Sequence, residues 1–395
     1  MILLNVALLV LALPVVLATG YLAVLTIFAR AGRVPAPPPP GIRFGIVVPA
    51  HDEEAGIGET VESLLALDYP AGLRRVIVVA DNCTDSTAAR AAIAGARVIE
   101  RVDPSRRGKG FALEYAFGLL LEEGSTDAFV VVDADSLATP NLLSAFSARL
   151  ADGALAMQAR YGVRNPEDSW RTRLMTIALA LFHDLRSLGR ERLSLSSGLR
   201  GNGMCFSARL LREIPHSAHS VVEDVEYGIQ LGEAGHRIRY VEEASVLGVM
   251  ASGAEASRPQ RRRWEHGRRD LARSRAMPLL ARGIRERNRV LVDLALDLLV
   301  PPLSRIVTWS SIGTVAALIA WVWTGSAIAL VPWVACDLAL LGYVTRGLAL
   351  SGTGLAGVAA LAGAPAYLAW RAAIGLRRTP DARGTWVRTP REEKR

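Results

Sequence analysis

Two carboxylates one residue apart, Asp133 and Asp135, follow directly on the β-branched run Val130-Val131-Val132. An unbroken apolar run bounded by polar residues reads as a strand buried on both faces, as in a parallel sheet. Ligands of open α/β sheets collect at the carboxyl ends of strands, where this pair falls. Alternate residues of an extended chain point the same way, so both side chains can reach one ion. Their hard oxygens suit Mg²⁺ or Mn²⁺, shared with the phosphates of a substrate. Asp-x-Asp is also what a strand followed by a polar, capped turn looks like. The weight therefore rests on what the chain puts beside it.

Other acids recur at the same place in the pattern. Phe44–Pro49 predicts a first buried strand, followed by His51-Asp52-Glu53-Glu54. Val76–Ala80 predicts a second, running into Asp81-Asn82-Cys83-Thr84-Asp85-Ser86. Helices over 57–67, 87–94 and 111–122, with strands over 97–101 and 129–133, complete an alternation that predicts βαβ units and a parallel sheet. Asp52, Asp81 and the Asp133/Asp135 pair then share one edge. Asp81 is placed to accept hydrogen bonds from a base or ribose, while Asp85 and Ser86 read as turn and cap residues. Arg106, Arg107 and Lys109, in a glycine-containing loop before a helix, suit a diphosphate. The loop is not a Walker A motif, and the turn after the first strand lacks Gly-x-Gly-x-x-Gly, which argues against a dinucleotide dehydrogenase.

Downstream, 158–164 predicts a strand and 170–188 a long amphipathic helix. Gly201-Asn202-Gly203 makes a turn that permits close backbone approach to a ligand, or is simply tight. Glu223 and Asp224 open another helix. Acids there complement the helix dipole, or one of the two is a general base taking a proton from an attacking hydroxyl. The stretch 258–269 carries Gln260, Arg263 and Trp264 among further arginines. With a single interleaved aromatic and apolar segments close behind, it reads as contacting headgroups or substrate phosphates rather than nucleic acid. His216 and His219 read as loop histidines without a third ligand.

The ends of the chain set its surroundings. It has 395 residues, 51% of them hydrophobic, and a net charge of +8, with a mean hydropathy of +0.25. That is more apolar than a soluble domain of this size needs. Residues 1–30 predict a transmembrane helix whose flanking Arg30 and Arg33 face the cytoplasm. A Pro-rich linker (31–41), a domain over 42–275, and interfacial or re-entrant helices over 276–303 follow. Further spans are expected within 304–376, with candidates at 304–324, 327–344 and 354–370. The basic tail 377–395 is expected in the cytoplasm, although three clean spans would put it outside. Three scattered cysteines imply no disulfide framework.

Asp52, Asp81, Asp133-Ala-Asp135, Glu223-Asp224 and Gln260-Arg-Arg-Arg263-Trp264, in that order, resemble the membrane-embedded branch of the family 2 glycosyltransferases, which includes cellulose, hyaluronan and poly-N-acetylglucosamine synthases; ceramide glucosyltransferase is similar. The resemblance implies a GT-A fold, Rossmann-like with a mostly parallel sheet, on the cytoplasmic side of a multi-pass cell-membrane protein. By matching position it implies that Asp52, Glu54, Asp81, Lys109 and Asp133 hold the nucleotide sugar. Asp135, with Asp133, would hold Mg²⁺ or Mn²⁺, and Asp224 of the Glu223-Asp224 pair would be the base. Gln260, Arg263, Trp264, Gly201 and Asn202 would meet acceptor and diphosphate. Val222 replaces the threonine usual before the Glu-Asp pair. The activity implied is inverting hexosyl transfer from a UDP- or GDP-sugar to a membrane lipid or glycan, in polysaccharide synthesis with partner export proteins or as a single transfer to lipid. A non-catalytic membrane protein retaining the fold is the reading from another class.

Overall fold

The fold is known from a computed structural model that describes residues 2–250 and 254–363, with backbone alone over 254–263. A long apolar helix, Ile2–Phe28 (α1), leads through the proline stretch into Phe44–Ala50 (β1). Then come Ile57–Leu65 (α2), Arg74–Asp81 (β2), Thr87–Ile93 (α3), Arg97–Arg101 (β3), Lys109–Glu122 (α4) and Ala128–Val131 (β4). These strands pair in parallel in the order β3-β2-β1-β4. Alternating apolar side chains account for two covered faces. Ile46, Val48, Val78 and Val130 pack toward α2, while Val47, Ile77, Phe129 and Val131 pack toward Leu113, Phe117 and Leu120 of α4.

The second half makes the sheet mixed rather than mostly parallel. Ser136–Ala138 (β5), Leu142–Ala151 (α5), Ala156–Val163 (β6), Met204–Ser207 (β7), Ala208–Glu213 (α8), Glu223–Glu233 (α9) and Ile238–Gly248 (β8) follow. Short β7 wedges antiparallel between β4 and β6. β8 runs parallel to β6 and antiparallel to β5, closing an eight-stranded sheet. Glu242, Glu243 and Arg239 interrupt the apolar pattern of β8, so it carries no strand signal in sequence.

The helix predicted over 170–188 is three pieces: Trp170–Leu179 (α6), a π-helical turn Ala180–Leu185, and Arg186–Arg192 (α7). The wider turn buries His183 against the Tyr161 ring (centroids 5.5 Å apart) and Asp184 on Arg160 and Tyr240 (both 2.9 Å). Ala254–Arg285 (α10) then runs unbroken through the domain boundary expected near 275. Arg289–Leu299 (α11) starts from the Asn288 cap, which accepts hydrogen bonds from the amides of Val290 and Leu291. Asp293 and Asp297, which interrupt the apolar pattern of this segment, point inward and pair with Arg190 and Arg186 of α7.

Leu303–Thr324 (α12), Leu330–Ser351 (α13) and Gly354–Ala362 (α14) complete the described chain. The rest of the 354–370 candidate and the 377–395 tail lie outside the described residues. Among the described residues, three helices, α1, α12 and α13, are long and apolar enough to cross a membrane. They pack with one another and with the π-helical turn through Leu22, Leu25, Leu181, Ile306, Trp333 and Tyr343. Close approach is decided by glycine: a Cβ on Gly189 of α7 would stand 2.5 Å from the Leu25 carbonyl oxygen. Overpacking costs about 1–3 kcal/mol, so Gly189→Val should lower the melting temperature of the detergent-solubilised protein by several degrees. An unchanged melting temperature would contradict this packing of α1 on the domain.

Candidate active site

The site is built around Lys109, the first residue of α4. Gly108 enters that helix at φ +139°. A Cβ on Gly110 would collide with the carbonyl oxygen of Ala218, so the helix start lies directly against the loop leading to α9. From there the Lys109 ammonium reaches Asp133 Oδ1 and the Gly201 carbonyl, each at 2.5 Å, and lies 3.9 Å from Glu223 Oε1. Burial pulls its pKa down, but Asp133, Glu223 and Asp224 outweigh this and the net shift is upward. Lys109 thus holds together the end of β4, the glycine turn and the start of α9.

Asn202 fixes the Asp133-x-Asp135 turn. Fully buried, it accepts from the Asp133 amide (3.1 Å) and donates to Ser136 Oγ (2.8 Å). Gln158, also fully buried, secures this turn in its place, donating to the Asn202 carbonyl (2.7 Å) and accepting from the Arg200 amide (2.8 Å). Gly201 has φ +77°, a conformation that favours glycine, and it lies in contact range of Asp224 Oδ2 and Lys109 Nζ. Gln158 was not singled out in sequence as a site residue, because β6 gives no chemical pattern of its own.

The Glu223–Asp224 pair sits at the first turn of α9. Burial is the largest influence on both and raises both pKa values, Glu223 to about 8. Lys109 opposes the rise in each. A carboxyl with a raised pKa in a cleft suits proton transfer near neutral pH.

Where the nucleotide is expected, the turns after β1 and β2 are bound to each other. Asp52 (φ +54°) accepts from the Thr84 amide at 2.7 Å, and Glu54 from the Ser86 amide at 3.1 Å. Asp81 is fully buried, with Oδ1 paired to Arg101 at 2.5 Å and Oδ2 without a hydrogen-bond partner among the described residues. An orphaned buried carboxylate oxygen is costly, and a donor group of a bound base would satisfy it. Arg101, at the end of β3, was missed in sequence. Arg106 turns outward to Glu114 (3.0 Å) instead of joining Lys109. Buried His216, its pKa lowered to about 4 by burial, packs on Phe117 and Tyr227, and His219 stacks on Phe111.

Trp264 lies on α10 and is partly exposed. Gln260 and Arg263 are on the same helix, in the part where only backbone is described. A Cβ on Gly267 would stand 3.0 Å from Val222, the residue before Glu223, so α10 packs against the start of α9.

For a divalent ion, Asp133 and Asp135 offer hard oxygen donors at a strand end, with Lys109 already on one Asp133 oxygen. Two carboxylates completed by water and substrate phosphates fit Mg²⁺ or Mn²⁺. Among the described residues, the one group of three potential ligands lies elsewhere, at Asp52, Cys83 and Asp85. Burial raises the Cys83 thiol pKa, and a protonated thiol is a poor ligand for a hard ion.

Residues 39–267 match the family described as "Glycosyltransferase like family 2". The chain belongs to this family. It is 24% identical over 236 residues to the "Probable glycosyltransferase YdaM" of Bacillus subtilis, covering 57% of this chain and 55% of that one. It is 27% identical over 232 residues to the "Beta-monoglucosyldiacylglycerol synthase" of Synechocystis, covering 56% and 47%. The chain therefore matches about half the length of these curated relatives. A solved mannosyltransferase from Pyrobaculum calidifontis, in complex with GDP-Man and Mn²⁺, superposes with a TM-score of 0.57 at 18% identity, covering 86% of this chain and 99% of that one. This likeness establishes a GT-A-like fold.

Two expectations follow. Asn202→Ala should cut kcat/KM by roughly 10- to 100-fold, as for other groups that orient a ligand, with a smaller loss of stability; unchanged kinetics would contradict its role. Glu223 keeps its proton in the folded state while the unfolded chain releases it near the ordinary 4.5. Its contribution to stability is then complete below that value and lost as pH rises through about 8. Glu223→Gln, which stays neutral, should gain in melting temperature relative to the wild type between about pH 5 and pH 9. A pH-independent difference would refute the shift.

Proposed function

We propose that this protein is an inverting, metal-dependent hexosyltransferase that takes its sugar from a nucleoside diphosphate and delivers it to a membrane-associated acceptor. One observation carries the reading: Lys109 brings Asp133 of the Asp-x-Asp turn within reach of the Glu223–Asp224 pair, at the carboxyl edge of a GT-A-like sheet.

Asp52, Glu54 and Asp81 would receive the nucleotide, with Asp81 Oδ2 available to a donor on the base. As the sugar leaves, negative charge grows on the diphosphate. Lys109 and the arginines of α10, Arg263 among them, would stabilise it electrostatically. A divalent ion held by Asp135 with Asp133 would neutralise the same charge. Asp224 would accept the proton of the attacking hydroxyl, and Glu223 and Lys109 would set its ionisation. A single base with no second carboxylate acting as nucleophile fits one in-line displacement, hence inversion at the anomeric carbon. Trp264 would offer a face to the acceptor sugar, and Gly201 would line its path, with buried Asn202 holding that turn to Asp133 from behind.

The three apolar helices packed on the domain support a membrane protein. Arg30 and Arg33 after α1 support a cytoplasmic site. The motif order supports the polysaccharide-synthase branch and an export partner. A single transfer to lipid is favoured instead by the likeness to the beta-monoglucosyldiacylglycerol synthase of Synechocystis.

The test is nucleoside diphosphate release by the purified protein in nanodiscs, across a panel of nucleotide sugars with Mg²⁺ or Mn²⁺. Release from one donor is expected, lost in Asp135→Ala. Asp224→Asn should lose roughly 10²- to 10⁴-fold in rate while still binding the nucleotide. Full activity in Asp224→Asn would refute the base. Lengthening products would support the polymer synthase; one sugar per lipid would support the glycolipid reading.

A further inference from the structure

Asp297 lies outside the motifs, yet it gathers cations from two sides. Its Oδ1 accepts from Arg186 (3.1 Å) and Arg190 (2.6 Å) of α7. Its Oδ2 accepts from Arg268 of α10 (2.9 Å), and its main-chain carbonyl accepts from the same guanidinium. The carboxylate is buried, as are both α7 arginines. One helical turn earlier, Asp293 is equally buried but has different partners: Arg190 again (3.0 Å) and the Tyr21 hydroxyl of α1 (2.8 Å). Asp293 is therefore tied to α7 and the membrane helix, whereas Asp297 is tied to α7 and α10.

Arg268 occupies a telling position. It follows Gly267, the residue whose missing side chain lets α10 meet Val222 at the start of α9, and it stands one turn beyond Trp264. The other face of α11 forms an apolar seam with both helices: Leu291, Leu294, Ala295 and Leu298 meet Ile229 of α9 and Ala276 and Leu279 of α10. An apolar seam tolerates sliding, because dispersion contacts are non-directional. Two oxygens of Asp297 converging on one Arg268 nitrogen do not. Farther along α10, Arg275 and Arg282 reach Glu233 at the other end of α9; near Trp264, α10 is held by the Asp297–Arg268 pair, through α11.

We propose that Asp297 is a positioning residue for the acceptor side of the reaction, acting through Arg268 to seat the Trp264 helix against the start of α9. This rests on the transferase reading above, so the test has one arm that needs no activity. Full-length protein with Val222→Cys and Gly267→Cys, in nanodiscs, is oxidised and the cross-link between α9 and α10 is quantified. Adding Asp297→Asn or Arg268→Gln should lower its yield several-fold, while Asp293→Asn should leave it unchanged. Arg268 is partly exposed, so its variant does not depend on filling a buried charge site.

The second arm measures transfer to diacylglycerol or a membrane lipid extract doped into the nanodiscs. Asp297→Asn and Arg268→Gln should each raise the half-saturating acceptor concentration about tenfold, the scale of one charged hydrogen bond, and the double variant no further. UDP and GDP affinity by calorimetry should stay within about twofold, since the nucleotide side does not touch this cluster. Equal cross-linking losses in Asp293→Asn and Asp297→Asn would reduce Asp297 to a stabilising residue and overturn the proposal, as would loss of nucleotide binding in Arg268→Gln. If no donor supports transfer at all, the activity reading fails and the cross-link still decides this one.

Discussion

The candidate site depends on one half-buried ammonium. Three segments far apart in sequence reach Lys109: the end of β4, the glycine turn before β7 and the first turn of α9. Each brings a carboxylate or a carbonyl, and carboxylates brought this close repel one another strongly. Lys109 is what allows Asp133 and the Glu223–Asp224 pair to share a site with part of their charge retained. Removing one partner of such a partly buried charged cluster leaves the others uncompensated. The site is thus a requirement of folding as well as of chemistry.

The domain's surroundings follow from a second set of buried charges. α11 carries two aspartates on the face toward α7 and leucines on the face toward α9 and α10. Tyr21 from α1 and Tyr343 from α13 bring the long apolar helices into the same polar cluster, through Asp293 and Arg186. Directional polar contacts therefore join the apolar helices to the sheet domain.

Much of the first half of the fold was legible in sequence. β1 and β2 alternate apolar residues on both faces and end in acids, which fixes strand, layer and edge together. Asp52, Asp81, Asp133 and Asp135 could be placed on that edge because strand ends share a side in any parallel sheet. The second half was less legible. The glycine turn leads legibly into the short strand β7, but four residues do not show its antiparallel sense, and charged residues break the pattern of β8. The π-helical turn at Ala180–Leu185 has no compositional mark. Asp293 and Asp297 read as breaks in an apolar helix because their partners, Arg186 and Arg190, lie about a hundred residues away; no local pattern reveals a long-range ion pair. The same holds for Arg101 on Asp81 and for the Asp133–Asn202 bond.

The most direct measurement of the central claim is stereochemical. With the nucleotide sugar that supports diphosphate release, the early product is followed by proton NMR and the anomeric coupling of the new linkage is read. A site with one base and no carboxylate nucleophile predicts a configuration opposite to that of the donor. Retention of the donor's configuration would contradict a single displacement driven by Asp224 and would require another residue of this site to attack the sugar first.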